Sequence, residues 1–558
     1  MSRMRAAGRV VVASAACWLL AAGGTWAQAP SLHAPEPLRR LAIQHNGRHK
    51  PFDSFAREAV RFITGRDRWD GQDPLDTAWA IIAEPERWQA AALISVPFVP
   101  LREALGMPRT AAHISYDELI ATRRLMRLLP AIVEKQRRDE HLSLLDHEAL
   151  DAYQRFVLFN SLIEQRLELV PPPGTAANWL PVLEPAGHPE AAQQQIRSAW
   201  SALIEAQRSG DTGTAEASAR GLASTLRSLR PDAYPAAWRL DLEVFSHRAA
   251  PFQAAKCLYL LAAGVLIMAA VRSASRGMSS PRSRPPRWRA AGWGLVAAGW
   301  LVHAAGILTR MIIGGRPPVS NFFETMLWLP FVAVGVALVL GRVYRAAYIG
   351  AAASLLAALT LWIAEFVPLD ASVTPVVAVL RSNLWLTVHV LTIVASYGAI
   401  ALATALAHIY GWLYLLPGPR HAALKELSIW LYRALQIGVV LLAGGIMLGA
   451  VWANASWGRY WGWDPKETWA LITLLWYLAL LHGRFAGWIR GVGLALGTIG
   501  GFFLLLMTYY GVSFYLVGLH SYAGGHAKPL PAALVGYVLL ETCFLATVGT
   551  RALRRRAT

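Results

Sequence analysis

Cysteine is nearly absent from this chain. Only Cys17, Cys257 and Cys543 occur in 558 residues. No two of them are spaced as C-x-x-C, which excludes a dithiol redox centre, a C-x-x-C-H attachment motif and an extracytoplasmic disulfide framework. Charge is scarce as well: 16% of residues are charged and 55% are hydrophobic. That is too apolar for an ordinary soluble protein, and several apolar runs reach the roughly 20 residues needed to cross a bilayer. Acidic residues are the scarcer sign, leaving a net charge of +18. Such a balance suggests nucleic acid, but the arginines cluster beside apolar runs, where they act as orientation signals at a membrane. The expected partner of the positive charge is membrane lipid, not nucleic acid.

Read along the chain, Arg3, Arg5 and Arg9 precede an apolar run from Val10 to about Ala22, followed by small residues at Ala27 and Ala29. This is a secretory signal over 1–29, with cleavage near Ala27 or retention as an uncleaved anchor. Residues 30–250 carry no long apolar run. Pro51–Ile63, Ala112–Leu129 and Ala191–Leu229 mix apolar and charged residues at helical spacing, and Pro171-Pro172-Pro173-Gly174 breaks the pattern. A mostly helical extracytoplasmic domain is expected there. His45 and His49, in its opening segment, read as solvated surface histidines.

Nine spans are placed at 253–271, 291–313, 323–341, 346–367, 384–414, 431–451, 467–482, 491–516 and 531–549. Arginine clusters recur after every second span: Arg272 to Arg289, Arg342 with Arg345, Arg420 with Lys425 and Arg433, Arg484 with Arg490, and the basic tail 550–558. The positive-inside rule puts these in the cytoplasm and the N-terminal domain outside. The expected fold is an α-helical polytopic membrane protein: a bundle of about nine transmembrane helices over 253–549, plus the N-terminal domain. The expected location is a bacterial inner membrane.

Between the sixth and seventh spans lies Trp457-Gly458-Arg459-Tyr460-Trp461-Gly462-Trp463-Asp464-Pro465-Lys466-Glu467. Clustered indoles at a membrane edge form either an aromatic belt or an amphipathic platform for a flat ligand. The pattern W-G-x-x-W-x-W-D-x-x-E resembles the "WWD" signature of heme-handling proteins of cytochrome c maturation, and within these the CcsA (ResC) branch of system II. The likeness runs from about Val302 to His526. It includes GRPPVSNFFE at Gly315–Glu324, NLWLTVHV at Asn383–Val390 and GLHSY at Gly518–Tyr522.

The resemblance implies cytochrome c assembly: heme b is bound, presented at the outer face and attached to C-x-x-C-H motifs of apocytochromes. The chain would be the heme-delivery and ligation subunit of a cytochrome c synthase. It implies His389 and His520 as external heme iron ligands, His482 and His303 as transmembrane ones, and Trp457, Trp461, Trp463 and Asp464 as the heme platform. Imidazole is a good iron ligand in either position. Arg459 and Lys466 are candidate propionate partners or solvated loop charges. Asp464 and Glu467 equally fit a helix cap, with Pro465 at the first helical position. Asn321 and Glu324 read as scaffold, and His408 and His421 are given no role. Implied partners are a CcsB (ResB)-like membrane subunit, apocytochrome c and thiol-reducing proteins. The alternatives are a CcmF-type heme lyase of the other maturation system, and a membrane transporter with aromatic belts and no heme.

Overall fold

A computed structural model describes residues 33–174, 176–275, 287–344, 346–366, 371–373, 384–417, 421–520 and 531–557. Residues 1–32, where a signal is expected, Arg276, Arg282 and Arg284, most of the 368–383 loop and the residues just after His520 lie outside these. In chain order the helices are α1 (Phe52–Thr64), α2 (Pro74–Ala83), α3 (Pro85–Gln89), α4 (Val99–Leu105), α5 (Tyr116–Thr122), α6 (Arg124–Arg137), α7 (Leu144–Ile163), α8 (Glu190–Ser209) and α9 (Thr212–Leu229). There follow α10 (Ala237–Ala249), α11 (Pro251–Ser275), α12 (Arg287–Gly314), α13 (Phe322–Tyr344), α14 (Ala347–Phe366), α15 (Leu384–Leu415), α16 (His421–Trp457), α17 (Pro465–Phe485), α18 (Gly491–Leu506), α19 (Val512–Tyr515) and α20 (Ala532–Ala557). A π-helical turn, Met507–Gly511, joins α18 to α19.

Helices expected at 51–63 and 191–229 are present as α1 and as the α8–α9 pair. Short strands were not foreseen. Six of them, β1 (Ala42–His45), β2 (Arg48–Pro51), β3 (Ala92–Ser95), β4 (His113–Ser115), β5 (Glu168–Val170) and β6 (Leu180–Pro181), form three two-stranded ribbons. Each is two to four residues long, too short for the period-2 pattern to stand out from its surroundings.

The chain divides into two compact units. One holds residues up to Ile43, Pro51–Arg123 and Ala152–Tyr234; the other holds Gln44–Lys50, Arg124–Asp151 and everything from Pro235. The first unit is built on an aromatic core. Trp79 and Trp200 are fully buried edge to face at 5.6 Å, and the Trp200 indole N–H donates to Gln165 at 2.8 Å. An indole N–H usually finds a partner when its ring is buried, and this bond ties α8 to the end of α7.

The second unit is a bundle of long apolar helices. Eight segments are long and apolar enough to cross a membrane among the described residues, and the protein is a multi-pass membrane protein. Eight of the nine expected spans correspond to these. The remaining one, the expected seventh span, is α17, a 21-residue helix whose apolar stretch is cut short by Lys466 and Glu467 at one end and His482 and Arg484 at the other. Its length is still about 31 Å, enough for a bilayer core.

α15 and α16 make the most extensive helix contact and run antiparallel, so the start of α15, the end of α16 and the start of α17 share one end of the bundle. His482 closes α17 about 26 Å away along its axis.

Candidate functional site

The loop joining α16 to α17 is organised by the capping of α17. Asp464 and Glu467 form a reciprocal capping box, and Pro465 occupies the first turn. The Asp464 Oδ1 accepts the Lys466 N–H at 2.9 Å, and Glu467 accepts from Gly462 N–H at 2.8 Å and Asp464 N–H at 3.2 Å. Such a cap contributes about 1 kcal/mol. Here it also holds Trp463 at a positive φ of 57°, a conformation uncommon for a bulky side chain.

Asp464 does more than cap. Its Oδ2 accepts the Leu519 N–H at 2.7 Å, and its Oδ1 accepts from His520 Nδ1 at 2.8 Å. A methyl at Gly518 would lie 2.5 Å from Oδ2, so the glycine of GLHSY is what lets the carboxylate approach. Burial works against the Asp464 charge, but the donors from His520, Lys466 and Leu519 outweigh it and hold its pKa at about 2. With Nδ1–H donating to the carboxylate, Nε2 of His520 carries the lone pair.

His389 is fixed in the same manner by a different acceptor. Its Nδ1 lies 2.8 Å from the Gly445 carbonyl on α16, which places the lone pair on Nε2. Its ring is parallel to Trp452, 8° between planes at 6.2 Å. Trp452, only 1% exposed, also meets His520 at 6.1 Å and Trp457 at 4.7 Å, and so packs against both histidines. Both histidines line one cavity, together with Tyr397, Trp461, Lys466 and Glu467.

The three tryptophans of the expected platform are not equivalent. Trp461 lines the cavity. Trp463 stands edge-on to it at 5.7 Å and is 69% exposed. Trp457 turns inward, edge to face with His520 at 5.3 Å, and supports that ring instead of lining the cavity. Lys466 lines the cavity and donates to Ser513 Oγ at 2.7 Å. Arg459 is tied to Glu467 at 3.4 Å and lies over the Trp457 ring at 5.8 Å.

His303 and His482 are not brought together. α12 packs on α10, α11, α13 and α14, whereas α17 packs on α16, α18 and the turn that follows. His482 is exposed, with Nδ1 on its own helix carbonyl at Leu478, 2.7 Å away. His303 is wholly buried among Phe252, Tyr259 and Phe331, with Nδ1 3.3 Å from the Tyr259 hydroxyl. His408 bridges α15 to α20 through Glu541 at 2.8 Å, a structural tie.

Glu324 is the scaffold residue expected of GRPPVSNFFE. It is buried, pairs with Arg310 and Arg316 at 3.2 Å each, and accepts the Ser320 N–H at 2.8 Å, while Asn321 Oδ1 caps α13 by accepting the Glu324 N–H. Sequence reading missed Trp452, Gly445 and Gly449. Their spacing of i, i+4, i+7 marks one face of α16, a signal that was available.

Comparison with known proteins bears on this arrangement. Residues 319–520 match the family described as cytochrome C assembly protein. The cytochrome c biogenesis protein CcsA of Prochlorococcus marinus subsp. pastoris is 34% identical over 252 residues, which cover 40% of this chain and 80% of that protein. CcsA of a Synechococcus species is 33% identical over 305 residues, 49% of this chain and 98% of that one. Protein NrfI of Wolinella succinogenes is 29% identical over 508 residues, 87% of this chain, so the likeness extends into the N-terminal half; the chain spans about half (54%) of NrfI's length.

Proposed function

This chain belongs to the CcsA family of cytochrome c biogenesis proteins, with a role in cytochrome c assembly, and on that premise we propose that it presents heme b between His389 and His520. The observation that carries this reading is the shared cavity. Two imidazoles, each bound through Nδ1 to a protein acceptor, offer Nε2 as the metal-binding nitrogen. An outer acceptor of this kind fixes a ligand's tautomer and orientation and raises its basicity. Trp461 supplies apolar surface for a flat ring, and Lys466 supplies a cation for a propionate. Arg459 is the weaker candidate, because Glu467 already engages it.

Heme is cargo here, not a resident cofactor. A cysteine S–H of an apocytochrome C-x-x-C-H motif adds across a heme vinyl group, forming a C–S and a C–H bond with no net oxidation. The histidine of that motif replaces one of the two protein ligands. The chain contributes no thiol to this step, and thiol-reducing proteins would keep the acceptor cysteines reduced. What it contributes is position: well-oriented reactants can gain up to about 7–11 kcal/mol over free encounter.

We place the cavity end of the bundle on the outer side, because the arginine clusters mark the other ends as cytoplasmic. That assignment requires α17 to cross. His482, at the far end of α17, would then meet heme on the inner side, with a CcsB-like subunit supplying further ligands. His303 would serve only if heme entered between α11, α12 and α13, because its ring is closed in by aromatic side chains. Detergent-purified protein tests the cargo: a pyridine hemochrome of the heme b type is expected, and protein that carries no heme when expressed with its partner subunit would refute the reading.

A further inference from the structure

The helices that carry His389 and its supporting groups are held in one register. Along the α15–α16 contact Ile400 faces Gly438, Ile393 faces Gly445 and His389 faces Gly449. A methyl on Gly438, Gly445 or Gly449 would stand 2.6, 2.8 and 2.6 Å, respectively, from the opposing side chain. Two of the three positions receive an isoleucine; the third receives the imidazole.

That imidazole is constrained from three directions. The Gly445 carbonyl takes Nδ1 at 2.8 Å, Trp452 lies parallel to the ring, and the bare Cα of Gly449 lies beneath it. We infer that Gly449 is a positioning residue for His389: its missing Cβ sets how deep the imidazole lies against α16, and so where Nε2 stands in the cavity. The inference rests on His389 being an iron ligand, and Gly449 acts only through it.

An added methyl would be accommodated by the ring and not by the helices. The nearest atoms to a Cβ at 449 are Cε1, Nδ1 and Nε2 of His389 itself. The helix spacing is meanwhile fixed one and three turns away, where backbone atoms come close: Ile393 Cα at 3.0 Å from a Cβ on Gly445, and Ile400 N at 3.3 Å from one on Gly438. A ring on two side-chain torsions yields more readily than a packed helix pair. Its displacement breaks the Gly445 hydrogen bond and misplaces Nε2.

The test compares Gly449→Ala, Gly438→Ala and His389→Ala in the full chain, purified with its heme. Gly438→Ala introduces the same close approach, against Ile400, and controls for packing. Gly449→Ala is expected to lose six-coordinate low-spin heme by about tenfold or more, with recovery on adding imidazole, as for His389→Ala. Gly438→Ala is expected to lower thermal stability but keep the parent spectrum. A parent spectrum in Gly449→Ala, or equal spectral loss in both glycine variants, would overturn the inference. A parent spectrum in His389→Ala would instead defeat the ligand reading beneath it. If Gly449→Ala does not accumulate, the double variant with His389→Ala decides: removing the ring should restore both folding and imidazole binding, and failure to do so would place the clash elsewhere.

Discussion

Asp464 and His520 are joined by a 2.8 Å hydrogen bond that makes one carboxylate serve two ends of the site. The same Oδ1 caps α17 through the Lys466 N–H, so the start of that helix and the orientation of the histidine are a single construction. Neither can shift without the other.

This coupling gives a pH signature. The Asp464 carboxyl is held at about 2, below its ordinary 3.8. A depressed carboxylate stabilises the fold fully above its unfolded pKa and loses that contribution as pH falls through the folded value. The loop is therefore expected to loosen between about pH 4 and pH 2, read as tryptophan fluorescence. Asp464→Asn should lack that component of the transition and should bind heme less tightly at neutral pH. An identical acid profile in the parent and the variant would remove Asp464 from this role.

Glu324 carries the balance of a buried cluster of two arginines and one carboxylate. Glu324→Gln leaves Arg310 and Arg316 without their counter-charge, and breaking a buried pair in this way costs on the order of 3–5 kcal/mol. A large drop in melting temperature and in accumulated protein is expected. Unchanged melting would show that the cluster is solvated.

His303 and His482 should separate experimentally. His482→Ala is expected to reduce heme copurified per mole of protein, because its exposed imidazole sits where inner-side heme would arrive. His303→Phe is expected to keep heme, since an aromatic ring refills the pocket formed by Phe252, Tyr259 and Phe331, at a cost of about 1–3 kcal/mol in stability because the buried Tyr259 hydroxyl loses its Nδ1 partner. Soret absorbance per mole of protein reads both; heme loss in His303→Phe alone would reverse the assignment.

Topology is tested by single cysteines in a background lacking Cys17, Cys257 and Cys543. A cysteine at Arg459 should label with an impermeant reagent from outside, and one at Arg272 or Arg484 should not. Labelling at both 459 and 484 from the same side would mean that α17 does not cross.

Much of this site could be read in the sequence because its pieces are local. The Asp464–Pro465–Glu467 cap needs only four consecutive residues, and long apolar runs announce membrane helices by composition. The parts that escaped depend on contacts between distant segments. That Trp457 supports His520, that Trp452 packs against both histidines, and that Gly518 admits the Asp464 carboxylate are facts of packing across more than fifty residues of chain. The division into two units escaped for the same reason: Arg124–Asp151 lies between segments of the first unit in sequence but clusters with the second in space. His303 shows the same limit from the other side. A histidine within a span invites a functional reading, yet full burial among aromatic rings is invisible to spacing.

If His389 and His520 together ligate one heme, the reduced visible spectrum of detergent-purified protein is six-coordinate and low-spin in the parent, is lost in His389→Ala and in His520→Ala, and returns in each when imidazole fills the vacated position. Parent spectra in both variants, with undiminished holocytochrome c formation, would contradict it.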